Sequence, residues 1–564
     1  MSSAKEPVMR RFGNGLTVLI KEDKSHPVVS LQYWVGTGSM NEGHWQGSGL
    51  SHLLEHLVFK GTAHFSGQEL ARKVQERGGH WNAYTSVNRT VYYIDGPAES
   101  WQIFLNLLTE LVFFPTFPED EMEREKEVVR REMAMYADDP DSVAYQLLMQ
   151  TLYLKHPCRW PVLGERAAFD CLTRQDVLDY HASRYVPNNV VLSIAGDVDA
   201  AEILSHLELL VEDLKSRPLN REPIPHEPHQ FGSRRVRKEF AVPYSKLHLA
   251  WRLPCSAHPD TPALSALSSI LGGGRSARFY EKFHDRLGLV YSIEVHSNQS
   301  ETDEGAFTIS MDVDRAQRDK VRDLVLQELR NLAEEDFTED LKRVCKQTRV
   351  SRLRRRSSAS GVASEMGADW FGSRNLNLSS EWQEAIERVT TEDLHRVCST
   401  WLSSPNVTEV SLDPPGSNAG DEERASASAG TALSEHVLGN GMKVVIREDH
   451  RLPLAYACMA FKAGCRAENE HDAGVTDLMS ECLLKGTSTR SAADIARFLE
   501  DIGGAINTST GNNSLSVGCQ VLAEDLDAGL ELMADVVMNP SFPEDAFLRE
   551  KESFVADAEE DMED

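Results

Sequence analysis

The chain has 564 residues, and its 59 basic and 88 acidic side chains give a formal net charge of −29 at neutral pH. Single hydrophobic cores stop growing at roughly 250–300 residues, so this length predicts several domains. An apolar content of 41% with 26% charged residues excludes a wholly disordered chain, and the acidic excess argues against a nucleic acid or membrane partner, because both attract clustered basic side chains.

The first part of the chain predicts strands that alternate with helices. Two strands, Leu16–Lys21 and Val29–Val35, flank a polar turn, and apolar residues at helical spacing then predict a helix over Leu50–Val58. A further strand is expected at Thr90–Ile94 and a further helix at Trp101–Val112. This order indicates an α+β fold, in which helices pack on mixed, mostly antiparallel sheets.

A long acidic helix is predicted over Glu119–Tyr136, because one proline precedes it and another follows it. The middle of the chain then repeats the alternation, with a strand at Leu247–Leu253 and a helix at Pro262–Leu271. Paired strands are expected at Tyr291–His296 and Ala306–Met311. This region therefore predicts a second domain of the same α+β class.

Segments near the start of the chain recur near its end at an almost constant offset. The sequence FGNGLTV at 12–18 is matched by LGNGMKV at 438–444. KGT at 60–62 is matched at 485–487 and FPED at 117–120 is matched at 542–545, so these two pairs share one offset, from which the first pair differs by a single position. This offset is too long for a solenoid, so it indicates that one domain recurs after an intervening one.

Composition marks the boundaries between these regions. The proline-rich residues 213–236 form a predicted connector, and the Pro-, Gly-, Ser- and Ala-rich residues 413–434 form a predicted flexible linker. The last region stops before a counterpart of the strand-like Val190–Ala195 is reached, so we expect an incomplete repeat. The predicted domains are 8–215, 233–412 and 435–564.

The segment HLLEH at 52–56 places two histidines and a glutamate on a predicted helix. Histidines four residues apart project from one helix face, close enough to bind one metal ion. Glu55 shares that face with His52, and H-x-x-E-H is the inverted zinc-peptidase signature. A catalytic zinc needs a third protein ligand, and the acidic helix carries Glu125 and Glu132 two turns apart on one face.

With these residues the chain resembles the pitrilysin/insulinase zinc metallopeptidases, which include the mitochondrial processing peptidases. In that family a ligand glutamate follows the inverted motif, in a helix similar to VVRRE at 128–132. The resemblance implies that one zinc ion per chain is held by His52, His56 and Glu132. It further implies that Glu55 is the general base and that Glu125 is a catalytic residue that supports the site. The resemblance also covers Asn14-Gly15, Gly36–Ser39, Phe59–Thr62, Gly78–Ser86 and Tyr185–Asn189.

The resemblance implies a zinc-dependent metalloendopeptidase that hydrolyses peptides or unfolded protein segments small enough to enter a chamber. Zinc lowers the pKa of its bound water to about 7, and Glu55 takes the proton from that water. Asn82 and Ala83 match the edge strand along which the family binds an extended substrate. Tyr291 matches a substrate-clamping tyrosine, and His284 stands seven residues earlier, where the family usually has arginine.

The recurring domain lacks the same residues. At the offset that relates KGT at 60–62 to its copy at 485–487, the four positions of the two histidines, the base and the third ligand hold, in chain order, Asp477, Ser480, Glu481 and Asp557. A serine cannot replace the glutamate base, so we expect this copy to be inactive. Its carboxylates suit either a hard cation such as calcium or a solvated acidic surface without metal.

The same sequence leaves other functions to be weighed. The chief alternative is a non-catalytic scaffold or regulatory subunit of a processing-peptidase-like complex. The resemblance implies a family in which a fourth domain supplies substrate contacts, and we expect only three domains in this sequence. The glycine run at 272–274 lacks the G-K-[ST] of a phosphate loop, and the basic run at 349–356 lacks interleaved aromatic residues, so neither indicates nucleotide or nucleic acid binding. The resemblance offers two sources for a fourth domain, a companion chain or a second copy in a homodimer.

The first residues and the cysteines bear on location. Residues 1–7 lack the apolar core of a secretion signal, and no run approaches the roughly 18 apolar residues of a membrane span. Nine scattered cysteines without a C-x-x-C pair indicate free thiols rather than disulfides. We therefore expect a cytoplasmic protein, although members of the family also occur in the periplasm and in organelles.

Overall fold

The computed structural model divides the chain into two compact units, residues 1–426 and residues 427–564. Most of the predicted linker, residues 416–433, and Asp557 of the recurring domain lie outside the described residues. The structure describes residues 6–219, 223–298, 305–402, 406–415, 434–446, 454–464, 468, 474–502, 504–511 and 514–551.

The first unit begins with a six-stranded sheet. Its strands are β1 (Val8–Arg11), β2 (Thr17–Glu22), β3 (Val28–Val35), β4 (His80–Thr85), β5 (Thr90–Pro97) and β6 (Val190–Gly196). The spatial order is β1-β2-β6-β3-β5-β4, so β4 is an edge strand and β6 lies in the interior of the sheet. β2 and β6 run parallel, whereas the other neighbouring strands are antiparallel.

Helices cover one face of this sheet and enclose the core with it. Apolar side chains from several of these helices pack with the inward side chains of β2, β3, β5 and β6. The helices of this half are α1 (Leu50–Val58), α2 (Gly67–Gln75), α3 (Trp101–Phe113), α4 (Glu119–Asp138), α5 (Pro140–Leu152), α6 (Arg166–Asp170), α7 (Arg174–Arg184) and α8 (Ala200–Leu210).

The start of α1 is fixed by two residues before it. Gly49 has a φ of 73°, in the left-handed region that favours glycine. A Cβ at this position would lie 2.0 Å from the carbonyl oxygen of Leu163. The buried side chain of Glu42 accepts a hydrogen bond of 2.8 Å from the backbone N–H of Ser51, in the first turn of α1. The helix that carries the two histidines therefore begins at a defined point.

The second half of this unit contains a five-stranded sheet in the order β7-β11-β8-β10-β9, in which only β7 and β11 run parallel. These strands are β7 (Arg234–Glu239), β8 (Ser245–Leu253), β9 (Val290–Asn298), β10 (Gly305–Val313) and β11 (Thr408–Asp413). Its α-helices are α9 (Thr261–Gly272), α10 (Arg318–Asn331), α11 (Thr338–Arg355), α12 (Ala359–Ser373), α13 (Leu378–Glu387) and α14 (Thr391–Val397), with π-helical turns at Tyr280–Arg286 and Cys398–Leu402.

The two halves exchange helices. α12 of the second half packs on β3 and β6 of the first sheet, where Gly367 lets the helix approach Trp34: a Cβ on this glycine would lie 2.4 Å from the indole ring. Ser193 of β6 donates a 2.7 Å hydrogen bond to the carbonyl oxygen of Ala363. In return, α5 of the first half packs on β8 and β11 through Leu148 and Leu152. Neither sheet is covered by its own half alone.

Buried ionic groups stabilise the second half and its connector. Arg318 and Asp413 are both buried and lie 2.5 Å apart, and Asp413 also accepts hydrogen bonds from two serine hydroxyl groups. In the predicted connector, Glu227 accepts three hydrogen bonds of 2.8–3.0 Å from the backbone N–H groups of residues 154–156. The connector is therefore attached to the end of α5.

The second unit repeats part of this plan. Its described strands form a two-stranded sheet, β12-β13, and a three-stranded sheet in the order β14-β16-β15. The elements are β12 (Ser434–Val437), β13 (Lys443–Ile446), β14 (Leu454–Phe461), α15 (Val475–Leu483), α16 (Ala492–Asp501), β15 (Ala505–Thr510), β16 (Leu515–Leu522) and α17 (Leu526–Met538).

The predicted fold class is confirmed: the first unit combines mixed, mostly antiparallel sheets with packed helices, and the described strand pairs of the second unit are antiparallel. The predicted helix over Glu119–Tyr136 extends to Asp138, and the expected pairing of Tyr291–His296 with Ala306–Met311 is found in β9 and β10. Within the described part of the chain, no helix is both long and apolar enough to cross a bilayer.

The buried ion pair gives a first prediction. Arg318→Met leaves the carboxylate of Asp413 buried without its cation, and we expect a loss of about 3–5 kcal/mol in the free energy of unfolding. Urea titration followed by circular dichroism measures this loss. Arg388→Met is the matched control, because Arg388 pairs with Glu384 at the surface. Equal effects of the two substitutions would contradict a special role for the buried pair.

A second prediction concerns pH. Burial lowers the pKa of His181 to about 4, against about 6.5 for an unfolded chain. The unfolded state therefore binds the proton first as the pH falls, and this residue's contribution is complete above pH 6.5 and decreases toward pH 4. The change is on the order of 3 kcal/mol. The ring Nε2 lies 2.9 Å from the carbonyl oxygen of Val112, a contact that a glutamine amide can also make.

Comparison with His181→Gln isolates this effect, because glutamine does not titrate. We expect the stability advantage of the native chain over His181→Gln to shrink as the pH is lowered from 6.5 to 4 in urea titrations. His296→Gln serves as the control, since His296 is exposed. A constant difference between the native chain and His181→Gln across this range would refute the prediction.

Candidate metal centre

α1 and α4 bring three potential ligands together. Nε2 of His52 lies 3.7 Å from Oε2 of Glu132, and Nε2 of His56 lies 3.8 Å from the same oxygen. One donor atom from each of the three side chains lies within 4.8 Å of the other two. His52 and His56 follow each other by one turn of α1, and their ring centres are 4.7 Å apart.

This donor set fits a zinc ion. Two imidazole nitrogens and one carboxylate oxygen form one of the common ligand sets of catalytic zinc, and separations of this size are compatible with bonds of roughly 2.0–2.2 Å to a shared ion. Burial, and to a lesser degree the charge of His56, lower the pKa of His52 to about 3. His52 is therefore a neutral imidazole at neutral pH, with a nitrogen lone pair available for a metal.

The second histidine is held from its other side. Nδ1 of His56 lies 3.1 Å from Oε2 of Glu125, and Oε1 of Glu125 lies 2.7 Å from Nζ of Lys60. Burial opposes the charged form of His56, but its hydrogen bond to Glu125 and the neighbouring carboxylates outweigh burial and raise its pKa. Burial likewise opposes the charged form of Glu125, but its bonds to His56 and Lys60 lower its pKa.

The proposed base lies beside this cluster. Oε2 of Glu55 accepts a hydrogen bond of 2.5 Å from Oγ1 of Thr85, the last residue of β4. Burial raises the pKa of Glu55, and this effect exceeds the opposing effect of the Thr85 hydroxyl group. Burial also raises the pKa of Glu132. Both pKa values are therefore shifted toward neutral pH, where a carboxyl group accepts and donates protons more readily.

The predicted substrate residues lie on two sheet edges. Asn82 and Ala83 belong to β4, where Asn82 is exposed and Ala83 is half-buried. Tyr291 is on β9, the edge strand of the second sheet; its ring is 45% exposed and lies 5.3 Å from the ring of Tyr244. His284, on a π-helical turn, stacks on Tyr280, and its Nδ1 lies 2.8 Å from a carboxylate oxygen of Asp285.

Sequence analysis did not assign a role to two residues that lie at this site. Lys60 and Thr85 each contact a functional carboxylate, although both belong to motifs that carried the resemblance. A signal was present: both recur at the offset of the internal repeat, as Lys485 and Thr510. The recurrence marks them as residues of the fold, but their contact partners are evident only in three dimensions.

The second unit keeps this framework without the histidines. Lys485 lies 2.7 Å from Glu550, and Thr510 donates a hydrogen bond to Asp477. Ser480 is buried at the position of the base. Within the described ranges, only the His52, His56 and Glu132 group brings three potential ligands within the distances of one metal ion.

The remaining motifs have structural explanations. The glycine run at 272–274 begins at the end of α9. In the basic run, Arg352 and Arg356 pair with Glu365, and Arg349 pairs with Glu387. These contacts occupy three of the basic side chains within the protein.

Comparison with known proteins supports this interpretation. The model of the insulinase family (peptidase family M16) matches residues 17–166 and again 443–563. A second model, described as the peptidase M16 inactive domain, matches residues 172–347. Together they match parts of both units, and the repeated match reproduces the internal repeat.

Similar proteins are named as proteases. An uncharacterized zinc protease of Rickettsia felis is 27% identical over 406 residues, which is 70% of this chain and 94% of the relative. An uncharacterized zinc protease of Mycobacterium tuberculosis is 30% identical over 299 residues, 52% of this chain and 67% of the relative. The crystal structure of a protease from Helicobacter pylori is 26% identical, with a TM-score of 0.67 over 72% of this chain and all of that protein.

The donor set predicts where zinc binds. We expect the purified native chain to bind about one zinc ion, and His56→Ala to lose most of it, because two ligands hold zinc far less tightly than three. Inductively coupled plasma mass spectrometry after gel filtration measures the ratio. Glu481→Ala, the equivalent position in the second unit, is the control and should keep the native ratio. Undiminished zinc in His56→Ala would show that the ion binds elsewhere.

Proposed function

Because this chain belongs to the insulinase family of peptidases, we propose that it is a zinc-dependent metalloendopeptidase that hydrolyses peptides or unfolded protein segments. The observation that carries this proposal is the convergence of His52, His56 and Glu132, with the carboxylate of Glu55 beside them. Names of relatives as zinc proteases point the same way.

The metal would be held by His52, His56 and Glu132. When bound, zinc polarises the scissile carbonyl group and lowers the pKa of water to about 7. The donor set is asymmetric, because Glu125 fixes the ring of His56 through Nδ1, whereas Nδ1 of His52 has no hydrogen-bond partner among the residues that the structure describes. Glu125 contacts the histidine and orients it.

Glu55 moves the proton. Its carboxylate accepts a proton from the attacking water and later donates it to the leaving amine, a role that requires a carboxyl group with a pKa closer to neutral than usual. Burial provides this shift. Thr85 occupies one carboxylate oxygen, so the other remains available for proton transfer, and the side chain is held in one orientation.

The substrate would bind as an added strand. β4 is an edge strand of the sheet, and its last residue, Thr85, contacts the base. An extended peptide that pairs with the backbone at Asn82 and Ala83 therefore passes close to Glu55. Backbone pairing requires an extended chain, so unfolded segments are favoured over folded proteins. Tyr291 remains a predicted contact from the second half of the unit.

The second unit contributes no second catalytic centre in this proposal. Its buried Ser480 has no acid–base chemistry to replace that of Glu55. The predicted companion chain or homodimer and the predicted cytoplasmic location remain predictions.

Glu55→Gln tests the proposed function. Glutamine keeps the size of the side chain but cannot accept a proton, so we expect zinc to stay bound and hydrolysis to fall by about 10²–10⁴-fold. An unstructured peptide with a fluorophore and a quencher reports cleavage, with and without a chelator. Ser480→Ala, at the equivalent position of the second unit, should cleave as fast as the native chain.

Two results would count against the peptidase. Native activity in Glu55→Gln would remove this residue from the mechanism. A native chain that binds zinc but shows no chelator-sensitive cleavage would favour the alternative function, a non-catalytic scaffold or regulatory subunit.

A further inference from the structure

The carboxylate of Glu125 holds two groups at once. One oxygen lies 2.7 Å from Nζ of Lys60, and the other lies 3.1 Å from Nδ1 of His56. The side chain of Glu125 is 9% exposed, whereas that of Lys60 is 30% exposed. Lys60 follows α1 by two residues and Glu125 lies on α4, so this contact joins the two helices that supply the ligands.

The ammonium group of Lys60 restricts the rotation of this carboxylate. A carboxylate with partners on both oxygens has one favourable orientation, and charge-assisted bonds are stronger than neutral ones. Without Lys60, Glu125 is free to turn about its side-chain bonds, and Nδ1 of His56 loses an acceptor in a fixed place. No hydrogen bond at Nδ1 then holds the His56 ring in the orientation that directs its Nε2 toward Glu132.

The other imidazole cannot compensate for this loss. Nδ1 of His52 is buried and finds no hydrogen-bond partner in the described part of the chain. Of the two histidines, only His56 is oriented by a carboxylate on its distal nitrogen. The orientation of the two histidine rings therefore depends mainly on the contact between Glu125 and His56.

The second unit shows that the ion pair forms without a histidine. Lys485 and Glu550 lie 2.7 Å apart, the same distance as in the first unit. The position equivalent to His56 holds Glu481 there, so Glu550 has no imidazole to support. The lysine–glutamate pair is thus a property of the repeated fold.

We propose that Lys60 is a positioning residue of the metal site: it orients the carboxylate of Glu125, which in turn orients His56 for the metal. This inference rests on the proposed function for the identity of the metal. It adds a residue, outside the signature motif, that sets the affinity for zinc through two successive contacts.

Zinc affinity tests this proposal without any measurement of hydrolysis. Competition with a chromophoric chelator gives the dissociation constant of the native chain and of Lys60→Met, Lys60→Arg and Lys485→Met. Residues that support a metal ligand typically change affinity about 10–100-fold. We expect Lys60→Met to weaken zinc binding about tenfold, at the lower end of that range, because Lys60 acts through Glu125. Circular dichroism verifies that each variant is folded.

The other two variants separate positioning from a general effect on stability. Lys60→Arg keeps a cation that can reach Glu125, so it should restore most of the native affinity. Lys485→Met removes the same ion pair from a unit without histidines, so it should lower the melting temperature as Lys60→Met does while leaving zinc affinity unchanged. A purely structural role predicts that zinc affinity follows the melting temperature in both variants.

The outcomes are distinct. Native zinc affinity in Lys60→Met, or equal weakening in Lys485→Met, overturns the proposal. If the native chain binds zinc but cleaves no peptide, and Lys60→Met binds zinc more weakly, the positioning role stands and the peptidase function fails. A native chain without measurable zinc affinity overturns both.

Discussion

The packing of α4 against α1 is the contact on which the metal-binding geometry depends. Apolar side chains of both helices, among them Leu57 of α1 and Met122 and Val129 of α4, belong to one buried core. Glu132 lies one turn beyond Val129, so burial of Val129 places Glu132 beside the histidines. The geometry of the proposed ligand set therefore depends on the hydrophobic contact between the helices, and a substitution that shifts α4 along α1 also shifts Glu132 relative to the two histidines.

This packing also concentrates charge that the protein alone does not balance. Three carboxyl groups, those of Glu55, Glu125 and Glu132, surround two imidazoles, and the contacts described for them include a single lysine. Burial raises the pKa of Glu55 and of Glu132, which shows that their charged forms are poorly solvated. A divalent cation bound by the proposed ligands would stabilise these charges, which is an electrostatic argument for a metal ion at this site.

The sequence predicted what local spacing determines and missed what tertiary packing determines. The positions of His52 and His56 on one helix face follow from their four-residue interval. The choice of Glu132 required the resemblance, because no spacing rule relates it to α1. The contact of Thr85 with Glu55 spans 30 residues and was not predicted. The supporting role of Glu125, whose contact with His56 spans 69 residues, was implied by the resemblance and not by any spacing rule. The exchange of α5 and α12 between the two sheets was likewise beyond prediction, since it depends on how complete halves pack.

The second unit acts as an internal comparison for the first. It retains the lysine–glutamate pair, and Glu468 contacts the start of α15 as Glu42 contacts the start of α1. The two units differ in how far the second strand is buried. Leu19, on β2 next to β6, is 0% exposed, whereas the equivalent Val445 on β13 is 56% exposed. The helix framework of a metal site thus persists although its ligands and part of its covering differ. Fold alone therefore cannot assign catalysis to a unit of this kind. The proposed assignment to the first unit rests on His52, Glu55, His56 and Glu132, whose four positions are occupied by other residue types in the sequence of the second unit.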